Sequence, residues 1–292
     1  MKRIIRITIA IFSIALLSVT AKKDKKENFN KDYVYIPSGT FQFEQKAVSV
    51  AAFYMLSTEV TNKQYREFIL DLKTQGKESD YLIAAPDTSN WIDTTRNWKI
   101  NSMKELYFNH PAYANYPVVN ITQAGAALYC VWLTKEMRIK YPKLNFNDFR
   151  LPSKEEWVYA AKGGLKHSPF PWGGPFTNNA EGKYLANFWR VGENNLTRDS
   201  LGNVLVVKGS GYTGRYIGDF SDIIYPVKSY NPNGYGLYNM AGNVSELVGT
   251  DTVAMGGSWR SPGFDIQVTS EVSATKSKPT IGFRVVSSFV GR

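Results

Sequence analysis

The chain is poor in the side chains that most enzymes use for covalent or redox work: its 292 residues include one cysteine, Cys130, and two histidines, His110 and His167. A lone thiol cannot close an internal disulfide or make a thiolate pair. The histidines lie far apart in sequence, whereas zinc and non-haem iron centres draw on two or three imidazoles backed by carboxylates, so a histidine-based metal centre is not expected. Ser258 and Ser261 stand in Gly-Gly-Ser-Trp-Arg-Ser, which is not the G-x-S-x-G nucleophile elbow, and no histidine is marked out to activate either. Residues 209–214 fit G-x-G-x-x-G, but Gly218, Asp219 and Pro226 follow where a dinucleotide site needs a helix N-terminus. A glycine-rich turn is expected there. His110, in His-Pro-Ala-Tyr, is expected to be a structural hydrogen-bonding residue.

The elements that position these residues are partly legible. Thr61 can cap a helix in which Tyr65, Phe68, Ile69 and Leu72 share one face. Thr122 precedes an apolar helix over 124–139 that contains Leu128, Cys130, Val131, Trp132 and Met137; a free cysteine there is expected to pack as a small hydrophobe. Ser153 and Glu156 form a capping box before Trp157. Asp32 to Phe43 alternates bulky residues around Pro37-Ser38-Gly39 and predicts a short hairpin. Beyond Gly163 the chain is rich in Gly, Pro, Asn and aromatic residues, with short strands predicted at 204–207 and 283–286. The pattern predicts an α+β domain with much ordered loop and no internal repeat.

Composition places the chain among globular proteins, at 43% apolar and 14% aromatic residues. Residues 1–21 combine Lys2, Arg3 and Arg6 with an apolar run and a small-residue ending, the pattern of a cleavable signal peptide. No acylatable cysteine follows that run, so an exported protein without a lipid anchor is expected, with no transmembrane span in the mature chain. Residues 22–32, with Lys22, Lys23, Lys25 and Lys26, are expected to be a charged tether, and residues 33–292 a single domain. The formal charge is +10 and is spread through the chain, which gives no nucleic-acid footprint.

Nine segments in order resemble the formylglycine-generating enzyme, or sulfatase-modifying-factor, family. They are Ile36–Phe41, Phe53–Asn62, Tyr116–Thr122, Arg150–Trp157, Pro171–Gly173, Ala186–Trp189, Asn233–Glu246, Gly256–Trp259 and Gly282–Val285. The resemblance implies an irregular, loop-rich α+β fold related to the C-type-lectin fold, and bound calcium. By position, one calcium site would use the Asn239 side chain, the Gly242 and Val244 carbonyls and the Glu246 carboxylate. A second would use Asn187, the Phe188 carbonyl, Asp219 and the Ser221 carbonyl. Oxygen donors on a glycine-containing loop suit a hard cation. The family's catalytic cysteine pair, which binds copper, falls at Ser261 and Ile266, beside Trp259 and Arg260. A hydroxyl and a hydrocarbon cannot ligate Cu(I) or exchange a disulfide, so a vestigial site without copper is expected.

A narrower resemblance is to the gliding-motility and type IX secretion lipoproteins of the Bacteroidota. It rests on Ala85–Trp91, Tyr107–Val119, Gly218–Asp222 and the Ala-Gly-Asn-Val-Ser-Glu run. It implies a non-catalytic scaffold or binding protein in the envelope or periplasm of a Gram-negative bacterium, with other envelope proteins as partners. Two alternatives stand beside it. One is a superfamily oxidoreductase acting on a peptide or small metabolite without cysteine chemistry; the other is a lectin-like binder using Trp172, Trp189 and Trp259.

Overall fold

Strand order in the N-terminal part is decided by which turn the backbone can close. A computed structural model describes residues 29, 31–91, 100–144, 146–190, 196–202, 204–206, 223–249 and 252–290. In it β1 (Tyr33–Ile36) does not pair with β2 (Gly39–Phe43), so the hairpin expected around Pro37-Ser38-Gly39 is not made. β2 pairs instead with β3 (Lys46–Val50) across Glu44 and Gln45, at φ 47° and 65°, the left-handed geometry of a two-residue hairpin turn. β1 pairs antiparallel with β4 (Phe53–Leu56), Tyr33 opposite Leu56 and Ile36 opposite Phe53. Neither turn residue is Gly or Asn, which is why the sequence does not announce the turn.

Two four-stranded sheets follow. The first has the order β1-β4-β12-β5, with β5 at Phe149–Arg150 and β12 at Val286–Ser288. The second has the order β10-β9-β8-β11, with β8 at Ser245–Leu247, β9 at Val253–Met255, β10 at Glu271–Ser273 and β11 at Ile281–Gly282. Only Phe283, Arg284 and Val285 separate β11 from β12, and all three are fully buried, so this connector ties the sheets through the core. The strand predicted at 283–286 is therefore a link between two strands. β6 (Leu196–Arg198) and β7 (Val204–Val206) form a separate hairpin.

Among the described residues, helices α1 (Asn62–Thr74), α2 (Glu78–Ala84), α3 (Ile100–Asn109), α4 (Gln123–Lys140) and α5 (Lys154–Ala161) pack on this frame. The expected caps are present. The Thr61 hydroxyl accepts from the Gln64 amide while Gln64 returns an acceptor to the Thr61 amide, and Ser153 and Glu156 do the same for α5. Thr122 accepts from the Gly125 amide. Tyr65 of α1 stacks on Tyr129 of α4 at 5.5 Å, and Phe283 meets both rings edge-on. Cys130 is buried in this cluster, and burial pushes its thiol up to about 12, as expected of a packing residue. Val131 is 70% exposed, so the apolar stripe of α4 is narrower than its composition suggests. His110 caps a 3₁₀ turn by accepting from the Ala112 amide, the structural role expected of it.

The packed chain begins before residue 33. Phe29, assigned above to the tether, is buried, stacks on Tyr33 at 4.9 Å and meets Tyr54 and Tyr141 edge-on. Residues 1–21, expected to be a signal peptide, the lysine run at 22–26 and the glycine-rich 209–214 lie outside the described residues. Among the described residues no helix is long and apolar enough to cross a membrane.

Replacing Phe283 by Ala removes a fully buried ring from the aromatic cluster and from the inter-sheet connector. Chemical denaturation is expected to show a loss of about 3–5 kcal/mol, whereas Val131→Ser on the exposed face of α4 should stay within about 0.5 kcal/mol.

Candidate functional site

Glu246 lies on β8, and its carboxylate is fully buried. Arg284, in the connector between the sheets, meets it with two nitrogens: Nε donates to Oε2 at 2.6 Å and Nη2 to Oε1 at 2.5 Å. The Trp157 indole of α5 donates to Oε2 at 2.6 Å. Arg284 also donates to the carbonyls of Leu56, Ser57 and Tyr238. One guanidinium thus joins both sheets to the loop that enters β8, and the bidentate geometry offsets the cost of burying its charge.

A second buried carboxylate, Glu59, has no arginine of its own. It accepts from the Asn239 amide at 3.2 Å on each oxygen and from the Asn243 amide at 2.8 Å. Burial, reinforced by the negative charge of Glu246 and only partly relieved by Arg284, pushes its carboxyl up to about 8. Ionised Glu59 and Glu246 set against one guanidinium leave a surplus negative charge in the interior. Such a charge calls for a proton or a cation.

The loop that carries Asn239 is built to turn oxygens inward. Asn239, Gly242 and Asn243 all take left-handed backbone, at φ 53°, 71° and 61°. A side chain at 242 would put its Cβ 2.3 Å from the Asn187 carbonyl oxygen, so close approach of two strands of chain requires glycine there. Asn187 donates to the Ile223 carbonyl and to Asn243 Oδ1, and its carbonyl accepts from the Asn243 amide at 2.7 Å. Asn187 of the second predicted calcium site thus lies against the Gly242–Asn243 turn of the first.

The donor set fits a hard cation in two respects and departs from expectation in one. Asn239 Oδ1 and Asn187 Oδ1 are buried and unpartnered, which carries a cost unless something occupies them. Both are oxygens of the kind calcium takes. Glu246, expected as a ligand, is instead the bidentate partner of Arg284; its Oε1 accepts one of those bonds and keeps lone-pair capacity. Phe188 is buried among apolar residues with its carbonyl as the relevant group. Asp219 and Ser221 lie outside the described residues, but the chain re-emerges at Ile223 against Asn187. Glu59, Trp157 and Arg284 belong to this cluster too. Sequence reading placed them only within family-like segments, because nothing local shows that they converge.

The position of the missing cysteine pair is filled by ordinary packing. Ser261 Oγ accepts from the Ser258 amide at 3.0 Å, and the Ser261 carbonyl accepts from the Trp189 amide at 2.8 Å. Ile266, fully buried, packs with Phe170, Ala186, Phe188 and Ala241. Trp259 is 4% exposed and its indole donates to the Pro279 carbonyl, while the Arg260 guanidinium sits 4.5 Å from its ring. Trp172 stacks on Phe170 at 4.8 Å. The tryptophans singled out for a lectin-like platform are thus largely committed to packing, and Trp259 cannot serve as one.

Comparison with known proteins agrees with this geometry. Residues 18–289 match the sulfatase-modifying factor enzyme 1-like domain. The mouse formylglycine-generating enzyme is 26% identical over 254 residues, covering 81% of this chain and 56% of that protein. The bovine enzyme is matched over the same share of its length, so the chain spans about half of these relatives. The bovine inactive C-alpha-formylglycine-generating enzyme 2 is 26% identical over 301 residues, covering 87% of each chain. Among solved structures, PvdO from Pseudomonas aeruginosa superposes with a TM-score of 0.56 at 20% identity, over 88% of this chain and 94% of that one, a likeness of fold. The order of motifs, the loop-rich α+β frame and the match along nearly the whole described chain lead to one statement: the chain belongs to the sulfatase-modifying factor domain family.

Proposed function

We propose that this chain is a non-catalytic, calcium-stabilised binding or scaffold module, exported to the cell envelope, where it serves a secretion or gliding-motility assembly of the type IX kind. The observation that carries the non-catalytic reading is the pair Ser261 and Ile266, the first tied into a turn and the second buried in an apolar cluster. No thiolate can form at either position, so copper has no soft ligand there. The bovine relative that covers 87% of each chain bears the word inactive in its name, which supports a family member retained for binding. The envelope assignment rests on the signal-like 1–21 segment and the motifs at Ala85–Trp91, Tyr107–Val119 and Gly218–Asp222.

For calcium, Asn239 and Asn187 would offer their unpartnered oxygens, and Glu246 its Oε1, with the Gly242 and Val244 carbonyls completing the loop. When bound, the ion supplies positive charge that balances Glu59 and Glu246 against the single Arg284. Its role is structural. It would hold the buried 239–246 loop against Asn187.

Three outcomes are expected. Purified protein incubated with a cysteine-containing peptide, oxygen and Cu(I) should yield no aldehyde by mass spectrometry; aldehyde at a rate above the metal-only background would overturn the non-catalytic reading. Chelation should lower the melting temperature by on the order of 5–10 °C for a site held at about 100 times its Kd, and Asn239→Ala should melt lower but no longer respond to chelator. Identical melts of wild type with and without chelator would remove calcium from the account.

The third outcome concerns pH. With its carboxyl raised from 4.5 to about 8, Glu59 binds its proton more tightly folded than unfolded. In chelator, stability should therefore fall as pH rises from about 4.5 to about 8 and level off above that. Glu59→Gln should flatten this slope in denaturant titrations.

A further inference from the structure

α1 and α4 leave between them an open groove of about 700 Å³ that belongs to neither the cation loop nor the cysteine turn. Four carboxylates line it, Asp32, Glu67, Asp71 and Glu136, against one ammonium, Lys140. This excess of acid stands out on a chain whose formal charge is +10. Two tyrosines also line the groove. Tyr33 and Tyr129 are 5% and 1% exposed, and their hydroxyls have no hydrogen-bond partner among the described residues. Burial pushes both hydroxyls up, reinforced at Tyr33 by the charge of Asp32 and at Tyr129 by Tyr33 and Cys130 and then by Glu67. Both phenols thus stay neutral, with oxygen lone pairs open to a donor.

The remaining surroundings select the kind of donor. Asp71 is held in place by the Trp132 indole at 3.0 Å and by Gln75 at 2.6 Å, so its carboxylate keeps a fixed position on the rim. The Trp132 ring, half-buried, packs on Phe68 and Tyr129 and adds an aromatic surface of the type that attracts cations. Leu70 and Ile139 flank the groove and are 65% and 66% exposed. Phosphate, carboxylate and nucleic acid are repelled by such a rim. A small polyamine would satisfy the acids but leave Leu70 and Ile139 uncovered.

We propose that this groove takes a lysine- or arginine-bearing segment of a partner protein, one cationic side chain reaching the Tyr33 and Tyr129 hydroxyls and neighbouring apolar residues covering Leu70 and Ile139. The proposal deepens the binding-module reading by naming the chemistry of the partner. Its failure would leave the chelation and aldehyde results untouched, so the two readings fail separately.

The test uses the full chain and a fluorescein-labelled peptide, Lys-Leu-Lys-Lys-Leu-Lys, followed by anisotropy. Saturable binding is expected, with no binding of the peptide in which Glu replaces Lys. Glu67→Lys with Glu136→Lys should weaken binding at least tenfold, while Glu78→Lys with Glu105→Lys, the same charge change on exposed positions of α2 and α3, should change it less than twofold. Tyr129→Phe keeps the ring and should weaken binding several-fold. Absence of binding at millimolar peptide, or equal loss from the two charge pairs, would overturn the assignment. Full displacement by equimolar spermine would assign the groove to small polycations instead. A tenfold gain in affinity on changing Lys22, Lys23, Lys25 and Lys26 to Gln would assign it to the chain's own lysine run.

Discussion

The ion pair between Glu246 and Arg284 is the interaction on which the rest of this structure depends. Both side chains are fully buried: Glu246 lies on β8 of the second sheet, and Arg284 in the three-residue link that runs from β11 of that sheet to β12 of the first. Removing either would strand a charge in a medium that penalises it by several kcal/mol. The remaining donors of Arg284 reach the carbonyls of Leu56 and Ser57 at the end of β4 and of Tyr238 at the mouth of the 239–246 loop. The guanidinium therefore sets the loop's position relative to both sheets. Trp157 adds α5 to the same junction through Glu246.

This junction also explains why the neighbouring site is electrostatically unfinished. Arg284 engages both oxygens of Glu246, whereas Glu59 relies on asparagine amides. Turning Asn239 so that its amide nitrogen faces Glu59 sends its oxygen the other way, where it has no protein partner. Asn187 repeats the pattern, spending its nitrogen on Ile223 and Asn243 and leaving its oxygen unpaired. The unsatisfied oxygens are thus consequences of how the two buried acids are shared, not isolated defects. A cation among them would complete the arrangement with the charge it lacks.

How much of this was legible in sequence depended on range. The caps at Thr61, Thr122 and Ser153 were readable because donor and acceptor lie within three or four residues. The pairing of β1 with β4 was not, since it turns on a Glu-Gln turn that offers no Gly or Asn signal, and on competition among strands far apart in sequence. Phe29 was misplaced in the tether because its lysine- and asparagine-rich surroundings outweigh one aromatic residue; its burial depends on Tyr141 and Phe146, more than a hundred residues away. Asn239, Gly242 and Glu246 were located through family-like motifs. That Glu246 would spend both its oxygens on Arg284 could not be, because the motif records the residue and not its partner.

The frame around residues 256–266 is held independently of any thiol. The segment 256–266 is positioned by contacts that need no thiol: Gly257 at φ 66°, where a Cβ would lie 2.1 Å from the Asp265 carbonyl oxygen, the Ser261 hydroxyl on the Ser258 amide, and Trp259 in its own cluster. Among the described residues, neither Glu246 nor Arg284 hydrogen-bonds to Ser261 or Ile266. The fold therefore needs no thiol at Ser261 or Ile266, and Ile266 adds apolar burial there. The constraint that persists is on the buried ions and the loop they hold.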